Sequence, residues 1–316
     1  MTSATARLLL VIFVFTMLSG AREARRALPH DAYIWQRKWT AAVADALRKS
    51  SDLVRAWRVL AADSDENGNL REVAVNWEAL KSSKRPVIAV VRINGQLARL
   101  NNMQVLDDLG DLLSRWRRAG APITGLELDY DCGVAKLGAY AKFLARVRTL
   151  LDKGIALSVT ALPAWLSSPA LDDVFAPTSE VVLQVHMVQN PREGLFNPEQ
   201  ARRWIQAMAR CTDKPFRVAL PTYGLRVSRR EDGSVLAIES ERPLLAGGYS
   251  ASELIASPEE VSRLIRELEW DAPASLVGIV WFRLPVSGDV RAWSPDTWRA
   301  VVSGKPLQTH IELLYE

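Results

Sequence analysis

The sequence predicts an α/β protein folded as a closed (β/α)8 barrel, the TIM-barrel architecture, with a small β-hairpin inserted after the seventh strand. Three observations predict it. Short apolar runs recur eight times, helical patterns lie between most of them, and an Asp-Gly pair separates two alternating runs late in the chain. Alternating strands and helices favour a parallel sheet covered by helices. A doubly wound open sheet is the alternative.

The eight apolar runs are rich in Val, Ile and Leu and alternate only weakly, as buried parallel strands do. The predicted strands are Ala32–Trp35, Leu53–Val59, Val87–Ile93, Gly125–Asp129, Ala156–Thr160, Val181–His186, Arg217–Leu220 and Val277–Trp281.

Predicted helices fill most of the intervals between the strands. Leu106, Leu109, Leu113 and Trp116 repeat at three to four residues, and Gly120 follows as a stop. Three later helices open with a capping residue, a proline and an acid, a pattern that satisfies free backbone N–H groups in the first turn. They begin at Asn197-Pro198-Glu199, Ser257-Pro258-Glu259 and Ser294-Pro295-Asp296.

The predicted hairpin follows the seventh strand. Asp232-Gly233 lies between the alternating runs 225–230 and 234–240, and this dipeptide favours a tight hairpin turn. We expect an insertion of about residues 225–245 over the carboxyl ends of the strands. No linker or internal repeat divides the chain, so residues 28–316 are predicted to form a single barrel domain.

The N-terminus has the pattern of an export signal. Arg7 precedes an apolar run from Leu8 to Leu18, and Ser19-Gly20-Ala21 offers small residues for cleavage. Residues 1–21 are therefore predicted to be a signal peptide, with a short N-terminal anchor as the alternative. The expected location is periplasmic or secreted, with membrane contact only through an uncleaved N-terminal segment.

Composition excludes several classes of function. The 316 residues are 48% hydrophobic and 24% charged, which excludes a disordered chain. The net charge of +4 is dispersed, so we expect no nucleic-acid partner. The sequence has neither a glycine-rich phosphate loop nor Cys and His at zinc-ligand spacing, so no cofactor and no metal are expected. We expect a monomer.

The fourth strand carries the candidate catalytic residues. Because strand side chains alternate, Glu127, Asp129 and Asp131 share one face and rise toward the carboxyl end of the barrel, about 6.5 Å apart along the backbone. Crowded, buried carboxyl groups raise one another's pKa, as a general acid requires.

Two other interpretations of these carboxylates remain open. In the first, Asp131 caps the following helix, while Glu127 and Asp129 pair with buried arginines such as Arg55 or Arg92. In the second, the three carboxylates bind Mg²⁺ or Ca²⁺.

Aromatic and polar side chains near other strand ends are candidate sugar-binding residues. Aromatic faces suit the apolar faces of sugar rings, whereas packing in the core is the ordinary role of such side chains. His186 is a candidate proton carrier or substrate contact, and a buried, hydrogen-bonded histidine is its alternative. The candidate binding residues are Tyr33, Trp35, Gln184, His186, Tyr223 and Trp281.

The run Thr124–Asp131 resembles the fourth-strand motif Asp-x-x-Asp-x-Asp-x-Glu of the family 18 glycoside hydrolases, which are chitinase-like barrels. That resemblance places Glu127 at the second Asp, Asp129 at the third, and Asp131 at the acid Glu. Pro221-Thr222-Tyr223-Gly224 resembles the family's seventh-strand Pro-x-Tyr-Gly, and Trp281 its final-strand Trp, which floors the sugar site. His186 and Met187 replace the family's Tyr and Asp, which hold the substrate acetamido group.

The chain as a whole resembles more closely a bacterial family, domain of unknown function 3142. The resemblance covers about residues 28–310 and implies the barrel but no activity. It rests on Trp35-Gln36-Arg37, Leu128–Asp131, Thr160–Trp165, Gln184-Val185-His186 and Leu220–Gly224.

These observations lead to three functional hypotheses. The first is an exported glycoside hydrolase-like enzyme in which Asp131 protonates the leaving oxygen, Asp129 orients the nucleophile or stabilises positive charge, and Glu127 supports Asp129. The second is a glycan-binding protein of the same fold that has lost catalysis. The third is a metal-dependent hydrolase.

Overall fold

Eight parallel strands close into a barrel in the computed structural model, which describes residues 26–97, 102–186, 194–239 and 250–307. The barrel strands are β1 (His30–Ile34), β2 (Ala56–Ser64), β4 (Val87–Ile93), β5 (Ile123–Tyr130), β6 (Ala156–Ala161), β7 (Glu180–Gln184), β8 (Phe216–Pro221) and β12 (Leu276–Phe282). Neighbouring strands follow chain order around the barrel, and pairing of β1 with both β12 and β2 closes it. The predicted (β/α)8 barrel is confirmed, and the open sheet is excluded.

Helices cover the outside of the barrel, and three begin at the predicted caps. Asn197, Ser257 and Ser294 each accept a hydrogen bond from a backbone N–H three residues later. The helices are α1 (Ala41–Ser50), α2 (Trp77–Ser82), α3 (Asn102–Arg118), α4 (Leu137–Leu150), α5 (Leu171–Phe175), α6 (Pro198–Cys211), α7 (Pro258–Trp270) and α8 (Pro295–Val302).

In the described residues, antiparallel strand pairs interrupt the alternation of strands and helices at two places. The predicted hairpin is β9 (Gly224–Arg229) with β10 (Val235–Glu239), and Gly233 supplies the positive φ of the turn between them. A third strand, β11 (Ser250–Ile255), pairs with the other edge of β9, so the insertion is a three-stranded sheet that extends past residue 245. The sequence did not predict β3 (Leu70–Glu72), which pairs antiparallel with the end of β2.

Apolar side chains form two layers of core. The larger layer lies between the strands and the helices and includes the fully buried Trp57, Trp165 and Trp281. The smaller layer lies inside the barrel and is centred on Tyr33, Trp35, Leu60, Val90, Val182, Ala219 and Val280. Because alternate strand residues point to opposite sides, each strand contributes to both layers.

The predicted signal peptide, residues 1–21, lies outside the described residues. Among the helices that the structure describes, none is long and apolar enough to cross a membrane.

Candidate active site

The three carboxylates of the fourth barrel strand lie at three depths. Glu127 and Asp129 point into the barrel from β5, and Asp131 follows the last strand residue, Tyr130. Glu127 is completely buried, Asp129 is nearly so, and Asp131 is exposed at the mouth formed by the carboxyl ends of the strands. Each carboxyl therefore meets a different environment.

Glu127 is held by hydrogen bonds on both oxygens. The Tyr33 hydroxyl donates to Oε1 at 2.6 Å, and the Ser158 hydroxyl donates to Oε2 at 3.0 Å. Arg58 also forms an ion pair with Oε2. Burial raises the pKa of Tyr33 well above its usual value, and the neighbouring Glu127 charge raises it further. Glu127 therefore supports the interior, and a substrate at the mouth does not reach it.

Glu127 also belongs to a group of charged residues at the amino-terminal end of the barrel, which we call the floor cluster: Asp31, Arg58, Glu127, Glu180 and Arg217. Arg58 donates to the carboxylates of Asp31, Glu127 and Glu180, and Arg217 donates to Glu180 at 2.9 Å. Burial opposes ionisation of Asp31, but the adjacent Arg58 and Arg217 outweigh burial and lower the pKa of that carboxyl. The cluster closes the amino-terminal end of the barrel with paired charges.

The arginine that pairs with Glu127 differs from the two considered from the sequence. Arg55 precedes β2 and binds Asp31 at 3.0 Å, whereas Arg92 lies higher in the barrel. The second strand begins at Ala56 rather than Leu53, and its even-numbered residues Arg58 and Leu60 face inward, whereas Trp57 faces the helices. The sequence analysis assigned the inward face of this strand to the wrong alternate residues, so it missed Arg58.

Asp129 and Asp131 form a linked pair at the mouth. Gln184 Nε2 donates to Oδ1 of Asp129 at 3.1 Å and to Oδ1 of Asp131 at 3.3 Å. The Thr160 hydroxyl donates to Oδ1 of Asp129 at 2.7 Å. Gln184 thus fixes the two carboxyl groups relative to each other.

The pair retains a proton at neutral pH. Burial, reinforced by the nearby Asp131 charge, raises the pKa of Asp129 to about 8, against the opposing effects of Thr160 and Arg92. The walls of the mouth desolvate Asp131 and raise its pKa as well, although Arg92 and Gln184 oppose this. Two adjacent carboxyl groups titrate together, so the raised pKa belongs to the pair.

Asp131 does not cap the following helix. The short 3-10 helix Val134–Lys136 begins after Gly133 without a side-chain hydrogen bond at its start. The carboxyl group of Asp131 instead faces Gln184 and the open mouth. The capping interpretation is therefore wrong, and Asp131 remains available for chemistry.

An aromatic wall defines another side of the mouth and consists of Trp35, His186, Tyr223 and Phe282. The His186 ring stacks on Phe282 with centroids 5.1 Å apart, and Trp35 meets Phe282 edge-on at 5.0 Å. His186 Nδ1 lies 3.3 Å from the Tyr223 hydroxyl. Trp35, His186 and Tyr223 are buried and Phe282 is partly buried, so Phe282 is the member of the wall that faces the mouth. Met187, which follows His186, lies outside the described residues.

His186 is neutral in this wall. Burial lowers the pKa of its imidazole to about 3. Its Nε2 atom is buried and has no hydrogen-bond partner in the part of the chain that the structure describes. The imidazole is therefore unsuited to carrying a proton near neutral pH.

Trp281 does not join the aromatic wall. Its ring packs in the outer layer against Trp293 and Trp298, and its Nε1 donates to His30 at 3.0 Å. Inward positions on β12 are even-numbered, so Phe282 occupies the place expected for Trp281. The expectation placed the aromatic residue one position too early.

In the described ranges, no group of three or more His, Cys, Asp or Glu side chains is arranged to hold a metal ion.

Comparison with family models assigns the chain to a known family. Residues 83–287 match the model described as "Domain of unknown function (DUF3142)". The chain belongs to the DUF3142 family. The match includes β5, β7, β8 and β12, whose carboxyl ends position most of the candidate site. No curated protein matches the chain by sequence.

Solved structures similar to this DUF3142 protein are glycoside hydrolase-like barrels. The Bacillus cereus spore cortex-lytic enzyme SleL aligns with a TM-score of 0.64 at 13% identity, covering 90% of this chain and 76% of that one. A Chromobacterium violaceum chitinase aligns with a TM-score of 0.61 at 14% identity, covering 88% and 98%. The GH18 chitinase ChiB of Flavobacterium johnsoniae gives 0.59 at 12%, covering 88% and 95%. The similarity establishes that this chain shares its barrel fold with these enzymes.

The structure brings together most of the residues predicted for the site of the DUF3142 chain. Asp129, Asp131 and Gln184 meet at the mouth, and Trp35, His186 and Tyr223 line it. Tyr33 and Glu127 lie beneath them, and Trp281 lies outside the barrel. Sequence reasoning missed Thr160 and Phe282, although strand alternation from Ser158 and Val280 points to both.

Proposed function

We propose that this DUF3142 protein is an exported glycoside hydrolase-like enzyme that cleaves a polysaccharide or oligosaccharide at the mouth of its barrel. The observation that carries the proposal is the Asp129–Asp131 pair, which has a raised pKa, is joined by Gln184, and has one member exposed. A carboxyl group that keeps its proton near neutral pH can act as a general acid. The fold shared with chitinases and a cortex-lytic enzyme supports a glycan as substrate.

Asp131 is assigned the role of acid because it is the member of the pair that solvent reaches. It gives its proton to the glycosidic oxygen as the bond to the anomeric carbon breaks, and water supplies the hydroxyl group of the new reducing end and the proton that restores the acid. The pair shares one proton, and with that proton on Asp131 the ionised Asp129 stabilises the positive charge that develops at the anomeric carbon. Glu127 acts only as a support, because its oxygens are already bonded to Tyr33, Arg58 and Ser158.

The aromatic wall is assigned to substrate binding. Phe282, the only partly buried member of the wall among the described residues, presents an apolar face to a sugar ring, and the buried Trp35, His186 and Tyr223 hold that face in place. Gln184 positions the carboxyl pair beside them.

A glycan-binding protein without catalytic activity is the second candidate. It is favoured by the shorter acid: Asp131 stands where the resembling motif has Glu, so the carboxyl group lies one methylene farther from a sugar oxygen placed for Glu. Hydrogen bonds weaken steeply over such a difference. In this case the aromatic wall binds the glycan and no bond is cleaved.

The test compares the full-length protein with its Asp131→Asn variant on soluble oligosaccharides with and without 2-acetamido groups. Tryptophan fluorescence reports binding, and release of reducing ends reports cleavage. We expect both signals from the wild type and a loss of about 100-fold or more in cleavage from the variant, with binding retained. Asp107→Asn, which removes an exposed carboxyl group on α3, is the control.

Binding without cleavage by the wild type would establish the second candidate. The absence of binding to every oligosaccharide would overturn both candidates.

A further inference from the structure

Arg92 is the inward-pointing arginine nearest the carboxyl pair. It is the penultimate residue of β4, and strand pairing places it level with Asp63 on β2 and Asp129 on β5. Its side chain is 41% exposed, so a ligand in the mouth can reach the guanidinium group.

The guanidinium group of Arg92 lies near carboxylates without bonding closely to them. Nη1 is 3.5 Å from Asp63 Oδ1, and Nε is 3.9 Å from Asp129 Oδ2, both too long for a good charge-assisted hydrogen bond. Asp63 is already engaged by Arg37, whose Nε and Nη2 donate to Oδ2 at 3.0 and 2.6 Å. Arg92 therefore shares the charge of Asp63 with a better-placed arginine.

The two arginines of the floor cluster show how inward-pointing arginines with a structural role are bonded in this barrel. Arg58 is completely buried and donates to three carboxylates. Arg217 donates to Glu180 and to the backbone oxygen of Pro29. Among the residues that the structure describes, Arg92 has neither kind of partner at such distances, and its other carboxylate neighbour, Asp129, shares a proton with Asp131 at neutral pH. Arg92 is therefore held less tightly than the arginines of the floor cluster, and part of its guanidinium group is open to the mouth.

We propose that Arg92 binds an anionic substituent of the glycan, a carboxylate or a sulfate, so that the preferred substrate is an acidic glycan. This inference rests on the proposed function and specifies its substrate class. A guanidinium group presents parallel N–H donors that match both anions. The anion would meet the solvent-exposed part of the guanidinium group, at the mouth of the barrel.

The experiment measures binding of three oligosaccharides of equal length to the full-length protein carrying Asp131→Asn, which prevents turnover. The probes are a neutral N-acetylglucosamine oligomer, a sulfated form of it, and an oligomer of alternating uronic acid and N-acetylhexosamine. We expect at least one acidic probe to bind about tenfold or more tightly than the neutral one, as a single charge-assisted contact allows. Which acidic probe is preferred distinguishes carboxylate from sulfate.

Three further variants are made in the same background. Arg92→Gln should abolish the preference for the acidic probe and leave neutral binding unchanged, whereas Arg92→Lys, which keeps the charge, should retain part of it. Arg117→Gln removes an arginine of similar exposure, 43%, that pairs with Asp152 on the outside of the barrel, and it should change neither affinity. Melting temperatures show that each variant is folded.

Equal binding of neutral and acidic probes would overturn the inference and leave the proposed function intact. A preference that survives Arg92→Gln would also overturn it. Binding of no probe at all would overturn the inference together with the proposed function.

Discussion

Depth along one strand decides what each carboxyl group of β5 can do. Glu127, at the bottom, is surrounded by donors and a paired arginine. Asp129, one step higher, is buried with two neutral donors, from Thr160 and Gln184. Neutral donors compensate a buried charge less well than a guanidinium group does, so Asp129 keeps its proton to a higher pH.

Replacing Asp129 with asparagine should change how stability depends on pH. The folded-state pKa of about 8 lies above the ordinary value of 3.8, so the folded protein holds a proton that the unfolded chain has released across this range. Stability conferred by that proton is lost as the pH rises from about 4 to about 8. The uncharged amide introduced by Asp129→Asn mimics the protonated carboxyl group and does not titrate, so the variant lacks this loss.

The measurement is the melting temperature of both proteins at about pH 5 and about pH 8.5. The advantage of Asp129→Asn over the wild type should be larger at the higher pH. Asp107→Asn, on the exposed face of α3, should show no such trend. An advantage that is independent of pH would contradict the assigned protonation state.

The low pKa of His186 predicts how the stability of the protein changes at acidic pH. Burial lowers its folded-state pKa from 6.5 to about 3, so below about pH 6.5 the unfolded chain takes up a proton that the folded protein does not. Stability is therefore lost as the pH falls from about 6.5 toward 3. His186→Gln should reduce this loss, measured as a shallower fall in the urea midpoint between about pH 6.5 and 4. An unchanged slope would show that His186 is charged in the folded protein.

At the scale of a single strand, alternation along β12 separates a residue that packs against the helices from a residue that faces the mouth. Trp281 faces the helices, whereas Phe282 faces the mouth. Trp281→Ala should lower the free energy of unfolding by about 3–5 kcal/mol and leave the glycan affinity of the folded protein unchanged. Phe282→Ala should weaken binding of an N-acetylglucosamine oligomer about tenfold at a smaller cost in stability.

Urea unfolding and fluorescence titration of both variants check this prediction. If Trp281→Ala weakens binding and Phe282→Ala does not, the inward face of β12 has been assigned to the wrong residues.

Local sequence patterns predicted the elements that local interactions determine. The caps at Asn197, Ser257 and Ser294 act within one helical turn, and Asp232-Gly233 acts within one hairpin. By contrast, β3 exists because it pairs with the end of β2, and β11 because it pairs with β9. Neither short polar strand has a strong pattern of its own, so only the tertiary partner reveals it.

In the candidate site too, features set within one strand were predictable and features that depend on other strands were not. Strand alternation placed Glu127, Asp129 and Asp131 on one face, and this is where they lie. The partners of these carboxylates were harder to predict, because they depend on which alternate residues of the other strands face inward. An error of one position in β2 and in β12 excluded Arg58 and Phe282 from the predicted inward face. Long-range hydrogen bonds, such as those from Gln184 to both aspartates, have no signal in the sequence.

Across the whole molecule, the floor cluster links distant parts of the barrel. Its members come from β1, β2, β5, β7 and β8, and Arg58 contacts residues on three of the other strands. Because these charges are buried, removing one leaves its partners without compensation. The cluster thus helps hold the barrel closed below the site.

Arg58→Met should therefore be strongly destabilising, by about 3–5 kcal/mol in urea unfolding. Arg117→Met removes an ion pair on the exposed surface and should cost about 1 kcal/mol or less. Combining Arg58→Met with Glu127→Gln should recover part of the loss, because the second change removes one of the stranded charges. Additive losses in the double variant would show that the two side chains do not interact.

The interdependence of these charges also limits how this sequence can diverge. A single substitution at Asp31, Arg58, Glu127, Glu180 or Arg217 leaves an unmatched ion in the interior, so an acceptable change requires a second one on another strand. Residues of the mouth, such as Arg92 and Asp131, are exposed and carry no such constraint. Evolution can therefore substitute residues of the mouth one at a time, whereas residues of the floor cluster change only in pairs on different strands.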